Sequence, residues 1–245
     1  MDVLCKTDAD VAEKENLEQT AQLELICAGL AAGTSIIDGV PQSKAIDTTI
    51  KALKAFNISV DKIPSMIMGC IALQITGNGH PVANADYIDC GESITALRHF
   101  LPLAATLNCP LSFMGRGELA NYTLQPYYDI FDEQGIQHFA CDGALPVTVN
   151  GRLQPGTFSF GENVNSQFIN GLLFALPLLN GDSTIELAVP LADTDAVNQT
   201  ITCLAEHGIY VAKVNEQKYL IKGKQHYQPL NRNCLLYTSP SPRDA

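Results

Sequence analysis

Three stretches of the chain are apolar on nearly every side, and they recur at an even interval. They cover residues 23–32, 96–107 and 167–179, and each reads as a helix buried all round. Their ends, at Gly33, Asn108 and Gly181, lie 75 and 73 residues apart. A short β-type run follows each one, at 35–38, 111–114 and 184–189. Next comes a helix with its apolar positions on one face, over 45–56, 126–134 and 195–207. Asn57, Gly135 and Gly208 stop these helices at intervals of 78 and 73 residues, as expected of residues just past a helix end. Two short strands then finish each unit, as at 210–214 and 218–222 around the polar turn Asn215-Glu216-Gln217.

Such a period marks repeated supersecondary units. A helix–strand–helix–strand–strand unit, used three times, predicts an α/β fold with helices packed inward and three small sheets outside. Each unit is too small to cover its own apolar helix, so the three should form one domain. That domain is expected over 17–229, with units near 17–80, 85–151 and 156–225. Residues 1–16 are acidic and aperiodic and are expected to form a loose leader. Residues 230–245 are expected to fall outside the domain. The run from Cys234 to Ala245 has the look of a non-native tail, with the natural frame stopping near Asn233.

Composition narrows the choice of partner. A formal charge of −11 over 245 residues argues against nucleic acid or an anionic membrane. A small anion remains open, because a local cation can outweigh net charge. No apolar run reaches the ~18 residues of a membrane span, and the first residues lack a signal-peptide pattern. The eight cysteines form no C-x-x-C pair and read as buried free thiols of a cytoplasmic protein. The five histidines show no metal-ligand spacing, so neither a metal nor another cofactor is expected.

The candidate chemistry lies at two helix starts. In Asp89-Cys90-Gly91-Glu92-Ser93-Ile94-Thr95-Ala96-Leu97-Arg98, a small-residue turn opens an apolar helix and a cation follows one turn in. That arrangement offers free N–H groups to an anion. Ser93 and Thr95 there are equally well explained as caps. In Asn165-Ser166-Gln167, a hydroxyl and two amides open the third apolar helix, where they can either cap it or hold a ligand.

These motifs carry a resemblance. Residues 30–37, Ile75-Thr76-Gly77-Asn78-Gly79, the Cys-Gly-Glu-Ser run to Arg98, and Asn165-Ser166-Gln167-Phe168 with Leu172-Leu173 stand in the order seen in one family. The chain resembles the N-terminal domain of the 5-enolpyruvylshikimate-3-phosphate synthases (3-phosphoshikimate 1-carboxyvinyltransferases). The resemblance implies a domain of three βαβαββ units, half of a two-domain transferase. It implies transfer of the enolpyruvyl group of phosphoenolpyruvate to shikimate 3-phosphate, on the route to chorismate and the aromatic amino acids. It also places the site between this domain and a C-terminal one that supplies the acid–base residues.

By the same resemblance, Asn165, Ser166, Gln167 and Asp193 fall at shikimate 3-phosphate positions, with Arg98 and Thr95 as support. Three phosphoenolpyruvate positions are altered. Glu18 stands for a lysine, Ile94 for a glycine that leaves room for the substrate, and Tyr122 for an arginine; Leu23 stands for another arginine. Swapping a cation for a carboxylate beside phosphate reverses an interaction of roughly 4 kcal/mol at 4 Å. The expectation is therefore a fragment without catalytic residues of its own and inactive alone. The alternative is a non-catalytic paralogue that binds a ligand or a partner.

Overall fold

The computed structural model describes residues 8–140, 145–162 and 164–234. In the first unit, helix α1 (Asp8–Leu30) leads into strand β1 (Ala32–Pro41), then α2 (Lys44–Ala55), β2 (Ser59–Ile63) and β3 (Cys70–Asn78). The second unit holds β4 (Tyr87–Asp89), α3 (Ile94–Ala104), β5 (Leu111–Met114), α4 (Gln125–Glu133), β6 (Gln137–Ala140) and β7 (Val147–Asn150). The third holds β8 (Thr157–Phe160), α5 (Ser166–Ala175), β9 (Ser183–Leu187), α6 (Asp195–Glu206), β10 (Val211–Asn215) and β11 (Lys218–Ile221). A last short strand, β12 (Arg232–Asn233), follows.

The three sheets share one plan. Their strand orders are β12-β1-β3-β2, β4-β5-β7-β6 and β8-β9-β11-β10. In each, the first pair is parallel and the remaining pairs are antiparallel. The second and third units supply their own parallel edge strand. In the first unit that place is taken by β12, from the far end of the described chain, with Ile37 beside Arg232 and Asp38 beside Asn233.

This arrangement corrects two expectations. Residues 230–234 belong to the fold: Leu230 N donates to Ser35 Oγ at 3.0 Å, Asn231 Oδ1 accepts from Ile36 N at 2.9 Å, and Cys234 is buried. The open edge of β1 needs hydrogen-bond partners, and this segment provides them. Residues 235–245, the rest of the expected tail, lie outside the described residues. Nor are residues 8–16 a loose leader. They are the opening turns of α1, because Ala9, Ala12, Glu13, Lys14 and Glu15, with no Gly or Pro among them, let the helix extend back from its buried half. Residues 1–7 lie outside the described residues.

Smaller differences have local causes. Strand β1 runs for ten residues, with a register shift between Ile37 and Val40. Gly39 sits inside that bulge at φ +74°, where a side chain would be strained. Helix α5 stops at Ala175 and continues as a single 3₁₀ turn, Leu176–Leu178, because Pro177 has no N–H to donate.

One apolar core joins the units. It includes Leu25 and Leu30 of α1, Leu97 and Leu101 of α3, and Ile169 and Leu173 of α5, all at most 1% exposed. Helices α3 and α5 pack directly on each other, while α1 packs on α2 and α6. Gly171 makes the α3–α5 approach feasible. A Cβ there would lie 2.2 Å from the Arg98 carbonyl oxygen and 2.3 Å from the Tyr127 hydroxyl. With no side chain in the way, Tyr127 donates its hydroxyl between the carbonyls of Arg98 and Phe168, each at 2.8 Å.

Candidate functional site

The N-termini of α3, α5 and α6 converge; the first two are capped by the side chain of their N-cap residue, and the third by Asp193, one residue before its N-cap Thr194. Ser93 Oγ accepts from Ala96 N at 3.2 Å, and Asn165 Oδ1 accepts from Gln167 N at 3.2 Å. Asp193 Oδ1 accepts from Asp195 N at 3.1 Å and from Ala196 N at 3.4 Å. Caps of this kind satisfy N–H groups that a helix start leaves unpaired. Asn165 and Asp193, expected at ligand positions by the resemblance, serve here as helix caps.

Arg98 and Gln167 tie α3 to α5. Arg98 Nη1 donates to Gln167 Oε1 at 2.8 Å, which turns Gln167 Nε2 toward Thr95 Oγ1, its acceptor at 3.1 Å. The guanidinium lies 4.2 Å from the Phe168 ring centre and 5.5 Å from that of Tyr122. It is 5% exposed, its Nε has no hydrogen-bond partner among the described residues, and burial lowers its pKa. Among the described residues it makes no ion pair; an amide and two rings surround it instead.

Two adjoining cavities open on this clasp. The outer one, about 420 Å³, is bounded by Ile94, Arg98, Tyr122, Asn165, Ser166, Gln167 and Asp193, with Val164, Leu191 and Ala192. The inner one, about 120 Å³, shares Ser166, Gln167 and Asp193 with it and adds Thr95 and His99 of α3, Asn170 of α5, Gln19, Gln22 and Leu23 of α1, and Ala196 and Gln199 of α6. Of the positions picked from the sequence, only Glu18 lines neither cavity. On a helix, Glu18 is turned about 100° from Gln19, whereas 19, 22 and 23 share a face. The charge reversal expected from Glu18 thus stands off the cavity wall, and Gln19 takes the lining position.

Sequence reading missed His99 and Asn170. His99 is 3% exposed, and neither of its ring nitrogens has a hydrogen-bond partner among the described residues; the same holds for Asn170 Oδ1. Burial, and then the Arg98 charge, pushes the His99 pKa down to about 3, so the imidazole is neutral. The available signal was a polar residue inside an otherwise apolar helix, at 99 and again at 170. The inner cavity therefore presents amides, hydroxyls, a neutral imidazole and the Asp193 carboxylate; among the described residues the outer one holds a single cation, Arg98, together with that same carboxylate.

Comparison with known proteins shows the family. The profile of the EPSP synthase family (3-phosphoshikimate 1-carboxyvinyltransferase) matches residues 18–235. The chain belongs to the EPSP synthase family. The 3-phosphoshikimate 1-carboxyvinyltransferase of Clostridium kluyveri is 39% identical over 209 residues, covering 85% of this chain and 48% of the relative. That of Clostridium perfringens strain 13 is 35% identical over 213 residues, covering 86% of this chain and 49% of the relative. This EPSP synthase family chain thus spans about half the length of the curated relatives it matches. Among solved structures, EPSP synthase from Acinetobacter baumannii superposes with a TM-score of 0.74 at 18% identity, over 88% of this chain and 47% of that one. The enolpyruvyl transferase NikO from Streptomyces tendae gives 0.60 at 12% identity, over 88% and 49%. These two likenesses show that the α/β fold, with its three small sheets, is that of the enolpyruvyl transferases.

Proposed function

We propose that this chain forms the shikimate 3-phosphate side of an enolpyruvyl transferase and has no activity without a second domain. The carrying observation is the Arg98–Gln167–Thr95 clasp beside Ser166, at the wall shared by two cavities. Asn165 and Ser166 open α5, and the positive end of a helix favours an anion there. The amides and hydroxyls of the inner cavity suit ring hydroxyl groups.

In the proposed reaction the acceptor oxygen adds to C2 of phosphoenolpyruvate as C3 takes up a proton; the C2–O bond to phosphate then breaks while C3 gives a proton back, and the hydroxyl proton leaves with the phosphate. Two anions then meet in one place. Among the described residues Arg98 is the one cation lining the outer cavity, and Gln167 already occupies its Nη1. Charge for the second anion, and the acid–base groups, would have to come from a C-terminal domain. A cytoplasmic location belongs to the same proposal; among the described residues, no helix is long and apolar enough to cross a membrane.

The test is calorimetric titration of the full chain. Shikimate 3-phosphate should bind weakly, and Gln167→Ala should reduce its affinity at least tenfold, the equivalent of about 1.4 kcal/mol. Phosphoenolpyruvate should not bind. Absence of shikimate 3-phosphate binding to folded protein would overturn this assignment.

Ile94 and Tyr122 favour a second reading, a ligand-binding paralogue without catalysis. Both stand in the outer cavity wall, where a sec-butyl side chain and a ring occupy space and add no positive charge. In a two-domain protein, the set Leu23→Arg, Ile94→Gly and Tyr122→Arg, the altered positions that line the cavities, separates the two readings. Recovery of phosphoenolpyruvate binding supports a transferase with an altered pocket, and continued absence supports the paralogue.

A further inference from the structure

The helices α1 and α6 bring together a second set of side chains, one turn beyond the inner cavity. Cys27 on α1 faces Cys203 on α6, with 3.7 Å between the sulfur atoms. His207, one helical turn after Cys203 at the end of α6, stands beside them, and one atom from each of the three lies within 4.8 Å of the others. All three side chains are buried, none more than 3% exposed. His207 Nε2 points at Glu24 Oε2, 3.0 Å away, and Nδ1 at the Gln228 carbonyl oxygen, 2.9 Å away. Glu24 is 1% exposed, and its Oε1 has no hydrogen-bond partner among the described residues, although Arg232 Nε stands 3.3 Å off as an ion pair.

The imidazole and the carboxylate pair with each other here and the two thiols face each other, but Glu24 Oε1 is left without a hydrogen bond among the described residues, and so dense a set of ionisable groups is costly to bury in an apolar core. A disulfide does not describe this arrangement, since the sulfurs are well beyond the bond length of about 2.05 Å. Metal geometry does. Two thiolates bound to one tetrahedral ion at about 2.3 Å lie about 3.8 Å apart. A histidine ligand ordinarily donates its second ring nitrogen to a carbonyl or carboxylate, which fixes the tautomer and aims the other lone pair at the metal. The Nδ1 contact with Gln228 is such a bond, and it leaves Nε2 facing Glu24.

We propose that Cys27 Sγ, Cys203 Sγ, His207 Nε2 and a Glu24 carboxylate oxygen bind one divalent ion of the zinc class in a closed, tetrahedral structural site. Thiolates and imidazole select such an ion over magnesium or calcium. Loading displaces both thiol protons, and the Nε2 proton where it is present. Two thiolates and one carboxylate around the dication leave one negative charge, which Arg232 faces. The site pins the first unit to the third. It also sets the spacing between Gln19 and Gln22 on α1 and Gln199 on α6, which line the inner cavity.

The test uses the full chain, made in zinc-supplemented medium and purified without chelator. Metal content should be about one zinc per chain, and dialysis against a strong chelator should lower the thermal midpoint. Refolding the reduced chain with cobalt(II) should give a thiolate-to-cobalt charge-transfer band and intense tetrahedral visible bands. Cys27→Ala with Cys203→Ala should lose the metal and the bands while keeping a native circular dichroism spectrum. If that variant does not fold, His207→Gln is read by the same criteria. The proposal is overturned by a chain that carries no zinc and gives no cobalt spectrum. It is equally overturned by a folded variant that keeps both unchanged.

Discussion

His99 shows how one residue can set a pH response. In the unfolded chain it titrates near 6.5; in the fold, burial and the neighbouring Arg98 hold it at about 3. The unfolded state therefore takes up a proton that the folded state refuses. This contribution to stability is whole above pH 6.5 and is lost as pH falls from 6.5 toward 3, at up to about 1.4 kcal/mol per pH unit. Urea unfolding between pH 7 and pH 5 should show this slope, and His99→Phe should flatten it. Equal slopes in the two proteins would remove His99 as the cause. The edge-on contact with Phe174, ring centres 5.4 Å apart, leaves room to expect that an apolar ring is accepted there. The sequence showed a histidine among apolar residues, but not that its nitrogens lack partners. That is a property of what α1 and α5 place against it.

At the scale of elements, the α3–α5 contact organises the site. Arg98, Thr95 and Gln167 can meet only because Gly171 lets the two helices approach and Tyr127 bridges their carbonyls. Gly171→Ala places a carbon against a backbone oxygen, which no rotamer change relieves. Its intrinsic helix preference is favourable by up to about 1 kcal/mol, yet overpacking of this kind costs typically 1–3 kcal/mol. We expect net destabilisation together with weaker shikimate 3-phosphate binding, measured by thermal unfolding and calorimetry. A more stable variant with unchanged binding would show that the close approach is not required. The helices themselves were legible, since all-round apolar stretches and their stop residues marked them. Their ends shifted by a few residues, as at α5, where Pro177 converts the last turn to 3₁₀.

At the scale of the molecule, the ring of three units is closed by β12. Removing residues 230–245 takes away the Leu230 and Asn231 hydrogen bonds, the parallel pairing with β1, and the ion pairs of Arg232 with Glu24 and Glu206. The uncovered edge of β1 then presents unpaired backbone groups to other molecules. The truncated chain should unfold at a lower temperature and self-associate in sedimentation velocity. A monomer with an unchanged midpoint would mean that β12 is dispensable. Nothing in the pattern of Arg232 and Asn233 announced a strand, because two residues are too few to show an alternation.

The sequence by itself determined the repeat, the inward helices, the three sheets and the family, because these follow from the period of apolar residues and from local motifs. It also located Ser166, Gln167, Arg98 and Thr95 at helix starts, since capping and anion binding ask for the same residue types. Tertiary structure alone decided which of these side chains satisfy one another, that Glu18 turns off the cavity wall while Gln19 lines it, and that β12 completes the first sheet. It alone gathered Cys27, Cys203, His207 and Glu24, which sit on helices far apart in the chain. Periodicity reports on which face of an element is buried; it carries no information about which other element that face meets.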